Sequence, residues 1–277
     1  MEYVSVQGEE VPKLGLGTWR LTGEDCRRAV GTALDLGYRH LDTAQAYGNE
    51  RQVGVALADS DVDREAVFLT TKLDGSHREF GAVLDGVEES LERLETDYLD
   101  LLLIHWPNGR GLPGATPVEE TLAAMNELVE DDRVRHIGVS NFGVDALDDA
   151  RQASEAPIFT NQVQFHPFWD QTHLLDYCAI HDVLLTAYSP LAHGGALSDA
   201  TLNQVGDRYG KSAAQVALRW VLQHDQVATI PKATSRDHLE ANLDIFDFEL
   251  TDEEMGAIAR PSKLRSVGMF ARSRLPL

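Results

Sequence analysis

Strand and helix patterns alternate along almost the whole chain. Eight apolar runs of strand character can be read, at residues 11–19, 38–44, 66–72, 98–106, 134–141, 158–165, 183–190 and 227–232. Stretches with helical spacing lie between them, among them 24–36, 80–94, 118–130, 174–181 and 212–223. In the first, Ala29, Val30, Ala33 and Leu34 recur at the period of one helix face. The run "LDLLLIHW" is nearly all apolar, as a strand covered on both faces should be. Strands joined through helices pair in parallel. Eight such units in 277 residues fit a closed (β/α)8 TIM barrel, although an open doubly wound sheet uses the same units. "YVSVQGEEVPK" reads as a short β-hairpin ahead of the barrel. The C-terminal tail from Arg260 has no clear period and reads as a wrap over the surface or a loop near the site. No repeat, low-complexity segment or linker interrupts the pattern, so the expectation is one domain over residues 1–277.

Composition narrows the partners. The chain carries 45 acidic and 24 basic residues, a net charge of -21, which disfavours nucleic acid because phosphate contacts need clustered bases. Lysine is scarce, with only Lys13, Lys72, Lys211, Lys232 and Lys263. Dense surface acid repels itself at low salt and is screened at high salt. The balance is halophile-like, with an acidic mesophile protein as the alternative. No apolar run approaches the ~20 residues that span a bilayer. The N-terminus shows no basic region followed by an apolar stretch, so a soluble, cytoplasmic protein is expected. Cys26 and Cys178 belong to no CxxC or Cys/His cluster, and no metal is expected.

In a (β/α)8 barrel, functional side chains collect at the carboxyl ends of the strands. Here those ends carry Asp42, Lys72, His105, Ser140 with Asn141, Gln162, Tyr188 and Lys232. Each alone has an ordinary explanation. An Asp after a strand is commonly a turn or cap residue, a His after "LLLI" a hydrogen-bonded core group, a Lys after "FLTT" a chain reaching solvent. Seven polar endings on one rim point to a site. Four residues also combine chemically. A tyrosine, with an ordinary pKa of about 10, is a reluctant acid at neutral pH. A neighbouring ammonium is expected to lower that pKa. With Tyr47 as proton donor, Lys72 as the cation, Asp42 holding the lysine and His105 donating to a carbonyl oxygen, the set forms a proton relay. Groups positioned in this way contribute ~100- to 10,000-fold in rate.

The motifs "DTAQAYGNE", "TTK", "IHWP", "GVSNF", "NQVQFHP", "AYSPL" and "IPKATS", in this order, resemble the aldo-keto reductase family, and the likeness runs from "LGLGTW" to "FDFELTDEE". It is nearest to prokaryotic members that include 2,5-diketo-gluconate reductases. The resemblance implies a tetrad of Asp42, Tyr47, Lys72 and His105. It also implies hydride transfer from nicotinamide C4 to a small-molecule aldehyde or ketone, with Tyr47 protonating the oxygen. NADPH would lie extended across the barrel mouth without a Rossmann fold; "GLGTW" indeed lacks the third glycine of the dinucleotide fingerprint. Ser140, Asn141 and Gln162 would hold the carboxamide, and Tyr188 would stack on the nicotinamide ring. Lys232 would meet the 2′-phosphate and Asn242 the adenine edge. Gly17, Thr18, Trp19, Asp42, Ser189, Leu191, Ile230, Ala233, Thr234, Ser235 and His238 complete the implied cofactor set.

The chain departs from the family pattern at Ala233, where many relatives have Ser, and at His238, where relatives often have Arg. Arg236 lies two residues before His238, and NADH is a second candidate cofactor. Trp19, Tyr47, His105 and Trp106 are the candidate substrate residues, with Phe142 as a further aromatic wall. The loop "PNGRGLPGATP" and the tail around Met269 and Phe270 are expected to shape specificity, and "HGG" at 193–195 to fold over the cofactor. The alternative within the family is a regulatory NADP(H)-binding module with little turnover. A phosphate-handling barrel of another kind would need a richer glycine loop. The family resemblance implies a monomer.

Overall fold

The computed structural model describes residues 1–107, 116–169 and 171–260. The loop and tail expected to shape specificity fall largely outside the described residues. Two short strands, β1 (Tyr3–Val6) and β2 (Glu9–Pro12), form an antiparallel hairpin. Its turn uses Gln7 and Gly8, both at positive φ (51° and 85°), the backbone that tight hairpin turns require. Eight parallel strands follow: β3 (Leu16–Gly17), β4 (His40–Asp42), β5 (Phe68–Leu73), β6 (Leu99–Ile104), β7 (Val134–Ser140), β8 (Ile158–Gln164), β9 (Leu184–Tyr188) and β10 (Val227–Thr229). The run at 11–19 is therefore divided between the hairpin and the first barrel strand.

Neighbours in the sheet follow sequence order from β3 to β10. The two ends then meet. Leu14 bridges Thr229 in parallel, Gly15 N donates to Thr229 O (2.8 Å), Thr229 N donates to Lys13 O (2.7 Å) and Gly17 N donates to Pro231 O (3.2 Å). These bonds join the two ends of the eight-stranded sheet and close the (β/α)8 barrel.

Helices α1 (Gly23–Asp35), α2 (Glu50–Ala58), α3 (Phe80–Leu94), α4 (Val118–Glu130), α5 (Val144–Ala153) and α6 (Thr172–Ile180) each link two strands. Both α7 (Ala200–Tyr209) and α8 (Ala213–Leu222) lie between β9 and β10, and α9 (Arg236–Leu243) and α10 (Asp252–Ile258) follow β10. Sequence chemistry sets their ends. Ser212 and Gln215 form a capping box on α8, and Thr251 and Glu254 form another on α10. In α1, Cys26, Ala29, Val30, Ala33 and Leu34 are the buried face, as the spacing predicts.

The barrel interior is layered. Val4, Val6 and Val11 of the hairpin pack with Phe68, Leu101, Leu103, Phe159, Leu184 and Ala228 in one buried cluster, so the hairpin plugs the amino-terminal end. Side chains two residues apart in a strand share a face. The face that is apolar at Phe68 therefore carries Thr70 and then Lys72, and the face of Leu101 and Leu103 continues to His105. Dry packing below and polar groups above come from the same alternation.

Close approach at the seam requires glycine. A Cβ on Gly17 would stand 2.5 Å from the Ile230 carbonyl oxygen. Gly17→Ala is expected to cost about 1–3 kcal/mol through overpacking, measured by urea unfolding; an unchanged midpoint would contradict closure through this contact.

Candidate active site

Lys72 is completely buried (0% exposed), near the end of β5. Its ammonium donates to Asp42 Oδ1 (2.5 Å), to the Thr43 carbonyl (2.7 Å) and to the Tyr47 hydroxyl (3.3 Å). The other Asp42 oxygen accepts from Gln162 Nε2 (2.7 Å), so strands on opposite sides of the barrel are tied through one carboxylate. Tyr47 ends a single 3-10 turn, Gln45–Tyr47, which Gly48 closes in the left-handed conformation (φ 66°). That turn swings the phenol back over Lys72. His105, just beyond β6, stands edge-on to Tyr47 with ring centroids 5.8 Å apart and stacks on Trp106 at 6.4 Å. The four residues of the expected tetrad are thus brought together.

Burial dominates the electrostatics. Loss of water pushes the Tyr47 phenol above its ordinary value. Lys72 pulls it down and Asp42 pushes it up, and the net shift is upward. The expectation of a lowered tyrosine pKa is corrected here: the ammonium offsets part of the burial effect and does not overcome it. Burial pulls the Lys72 ammonium down, and Asp42 and Tyr47 more than restore it, so it stays charged.

A second set of bonds builds the adjoining wall. Ser140 Oγ donates to the Gln162 carbonyl (2.8 Å), Asn141 Nδ2 donates to the His105 carbonyl (3.0 Å), and Tyr188 OH donates to Asn141 Oδ1 (2.7 Å). Gln162 Nε2 is engaged by Asp42, which leaves Oε1 as the acceptor of that side chain. Asn141 and Ser189, immediately after β7 and β9, have left-handed backbone (φ 66° and 50°), as do Ala192 and His193 farther along the loop after β9 and Arg20 in the loop after β3. Such conformations are sparsely populated and concentrate where a site needs a particular wall.

These groups line one cavity of about 610 Å³ at the carboxyl ends of the strands. From the expected sets it gathers Gly17, Trp19, Asp42, Tyr47, His105, Trp106, Ser140, Asn141, Gln162, Tyr188, Ser189, Ile230 and Lys232. Lys72 lies behind it. Thr18 is buried, its hydroxyl on the Asp42 carbonyl (3.0 Å). Leu191, Ala233, Thr234, Ser235, His238 and Asn242 do not line it. Asn242 is buried against Tyr38, and Ser235 Oγ caps α9 by accepting from His238 N. Phe142 is also outside: at 3% exposure it packs in the core, which corrects its expected place in the pocket wall. The left-handed turn at Asn141 breaks the strand alternation just before it.

Two cavity residues, Arg20 and Gln164, lie outside the expected set, and His193 of the "HGG" stretch also lines the cavity. Gln164 lies two residues beyond Gln162 on the same strand face, a signal the sequence did carry. His193 belongs to a 3-10 turn, Ala192–Gly194, and its ring meets Trp19 edge-on at 6.4 Å. Of the "HGG" stretch, His193 therefore lines the cavity beside Trp19. Among the described residues no cluster of His, Cys, Asp or Glu could hold a metal ion.

The buried ion pair makes a quantitative expectation. Lys72→Met leaves a buried carboxylate without its cation and should cost about 3–5 kcal/mol at neutral pH. Adding Asp42→Asn should recover part of that loss; strictly additive costs in denaturant unfolding would contradict the coupling. Because the folded Lys72 pKa lies above the ordinary 10.5, its contribution is present at neutral pH and is lost as pH rises through that raised value.

The comparisons agree with one another. The profile of the "Aldo/keto reductase family" matches residues 13–262. A glyoxal reductase from Bacillus subtilis (strain 168) is 42% identical over 262 residues, covering 94% of this chain and 92% of that protein. An aldo-keto reductase from Mycobacterium sp. (strain KMS) is 42% identical over 252 residues, covering 91% and 90%. The crystal structure of a putative 2,5-diketo-D-gluconic acid reductase B superposes with a TM-score of 0.90 at 44% identity, covering 94% of this chain and 90% of that one. An aldo-keto reductase complexed with NADPH superposes at 0.88 with 30% identity, covering 93% and 86%. With the profile spanning nearly the whole sequence and relatives above 40% identity over nine-tenths of it, the chain belongs to the aldo/keto reductase family.

Proposed function

We propose that this family member reduces aldehydes or ketones to alcohols with a nicotinamide cofactor, Tyr47 serving as the proton donor. The observation that carries the reading is the chain Asp42–Lys72–Tyr47 opening, beside His105, into one cavity. His105 orients the carbonyl oxygen by a hydrogen bond, and Tyr47 gives that oxygen its proton. Lys72 stabilises the phenolate left behind, and Asp42 keeps Lys72 charged and fixed. A raised phenol pKa suits this division of labour: Tyr47 is protonated at neutral pH and ready to act as an acid. Trp19 (42% exposed) and Trp106 line the cavity as its apolar walls.

The residues present fit the cofactor. Its nicotinamide, when bound, supplies the hydride. Ser140, Gln162 and Tyr188 all line the cavity, and with Gln162 Nε2 given to Asp42 its Oε1 is left to accept from a carboxamide. Gly17, Ile230 and the exposed cations Arg20 and Lys232 line the same cavity. Arg236 is held by Glu240 (2.9 Å) and Ser235 is engaged in capping, so Lys232 carries the preference for a 2′-phosphate. NADPH is the favoured cofactor, with NADH accepted. The names of the relatives, a glyoxal reductase and a 2,5-diketo-D-gluconic acid reductase B, favour small carbonyl compounds as substrates. We take the working unit to be a monomer in the cytoplasm, with all 277 residues in a single barrel domain.

Three outcomes test this. Reduction of an aldehyde with C4-deuterated NADPH should place one deuterium on the carbinol carbon by mass spectrometry; solvent-derived hydrogen there would contradict direct transfer. Lys232→Met should weaken NADPH about tenfold or more while changing NADH little, in a fluorescence titration; equal losses would remove the phosphate role. If the excess of acid is an adaptation to salt, the melting temperature should climb steeply in molar KCl; a flat response would contradict it.

A further inference from the structure

In "DTAQAYGNE", Asp42 and Tyr47 have roles, and Asn49 has none. It is fully buried (0% exposed) and occupies the N-cap of α2, where an asparagine ordinarily bonds to the helix amides. Here its side chain makes no capping bond. Instead Asn49 Oδ1 accepts from Thr43 Oγ1 (2.7 Å), and Nδ2 donates to the carbonyls of Thr18 and Leu21 (both 2.9 Å). The amide also meets the buried Cys26 thiol, whose pKa burial raises to about 11 against this bond. The capping bond has been exchanged for a clip between two rim loops.

What the clip joins is informative. Thr43 is the residue whose carbonyl holds Lys72, 2.7 Å from the ammonium. Thr18 and Leu21 flank Trp19 and Arg20, which line the cavity. Thr18 is tied in turn to the Asp42 carbonyl through its N–H (2.9 Å) and its hydroxyl (3.0 Å). We infer that Asn49 is a positioning residue that locks the Trp19–Arg20 loop to the Thr43 peptide, so that the cavity wall and the Lys72–Tyr47 proton donor are held as one unit.

The catalytic consequence rests on the proposed carbonyl reduction. The titratable groups facing Tyr47 are Lys72, Asp42, His105 and Tyr188. If Thr43 loosens, Lys72 is held less closely and stabilises the phenolate less. The base form needed for alcohol oxidation then appears at higher pH.

Thr43→Val removes only the hydroxyl from the clip, and Thr43→Ser keeps it; Asn49→Ala removes the clip altogether. In Thr43→Val, kcat should fall about tenfold or more with the carbonyl KM nearly unchanged. The pH limb of alcohol oxidation should move up by about half a unit or more, and Thr43→Ser should restore both. Hydrogen–deuterium exchange, which needs no turnover, should quicken together in residues 14–24 and 43–49 of Thr43→Val and of Asn49→Ala. Lower thermal stability with an unmoved pH limb and unchanged exchange in 14–24 would overturn the inference. A wild type that binds NADPH and reduces no carbonyl would defeat the functional reading, and the exchange experiment would still decide the clip.

Discussion

A lysine with no surface in contact with water must be paired, or it loses its charge. Lys72 is paired, and the rest of the site is arranged around that pair. Asp42 supplies the counter-charge, the Thr43 carbonyl a second acceptor, and Tyr47 the third. Gln162 reaches across the barrel to fix the carboxylate's free oxygen. Burial makes each of these bonds costly to lose. It also raises the phenol's pKa, so the ammonium restrains that rise and does not reverse it. A phenol kept neutral and a lysine kept charged are two products of one dry environment.

The barrel is what makes such an environment available. Alternation along β5 and β6 turns Phe68, Lys72, Leu101, Leu103 and His105 to the barrel interior, the apolar three at the plugged end and Lys72 and His105 at the carboxyl ends of the strands. The hairpin closes the lower end with three valines, and backbone bonds between residues 13–17 and 229–231 close the side. With the lower end plugged and the sheet closed on itself, the cavity opens at the upper rim. The irregular backbone of Asn141, Ser189 and His193 is confined to that rim, where it shapes the cavity.

Much of this could be read from the sequence, and the exceptions have physical causes. Asp42, Lys72, His105, Ser140 and Tyr188 could be placed because a strand end fixes which way a side chain points. Phe142 could not, since the left-handed turn at Asn141 redirects the chain between the two residues. The direction of the Tyr47 shift was misread because the sequence displays its charged neighbours and hides the loss of water around them. Arg20 sits on a rim loop whose course no periodicity sets, whereas Gln164 shares the face of Gln162 and was open to the same argument. The family's order of motifs carried the tetrad further than spacing alone, because only fold closure brings Gln162 to Asp42.

The central claim is that Tyr47, backed by Lys72, delivers the proton in carbonyl reduction. The most direct measurement is NADPH consumption by wild type and Tyr47→Phe, side by side, with a panel of simple aldehydes and dicarbonyls in high KCl. The account predicts turnover by wild type and its near-complete loss in the variant, with NADPH still bound by both. A variant that keeps full activity would contradict it.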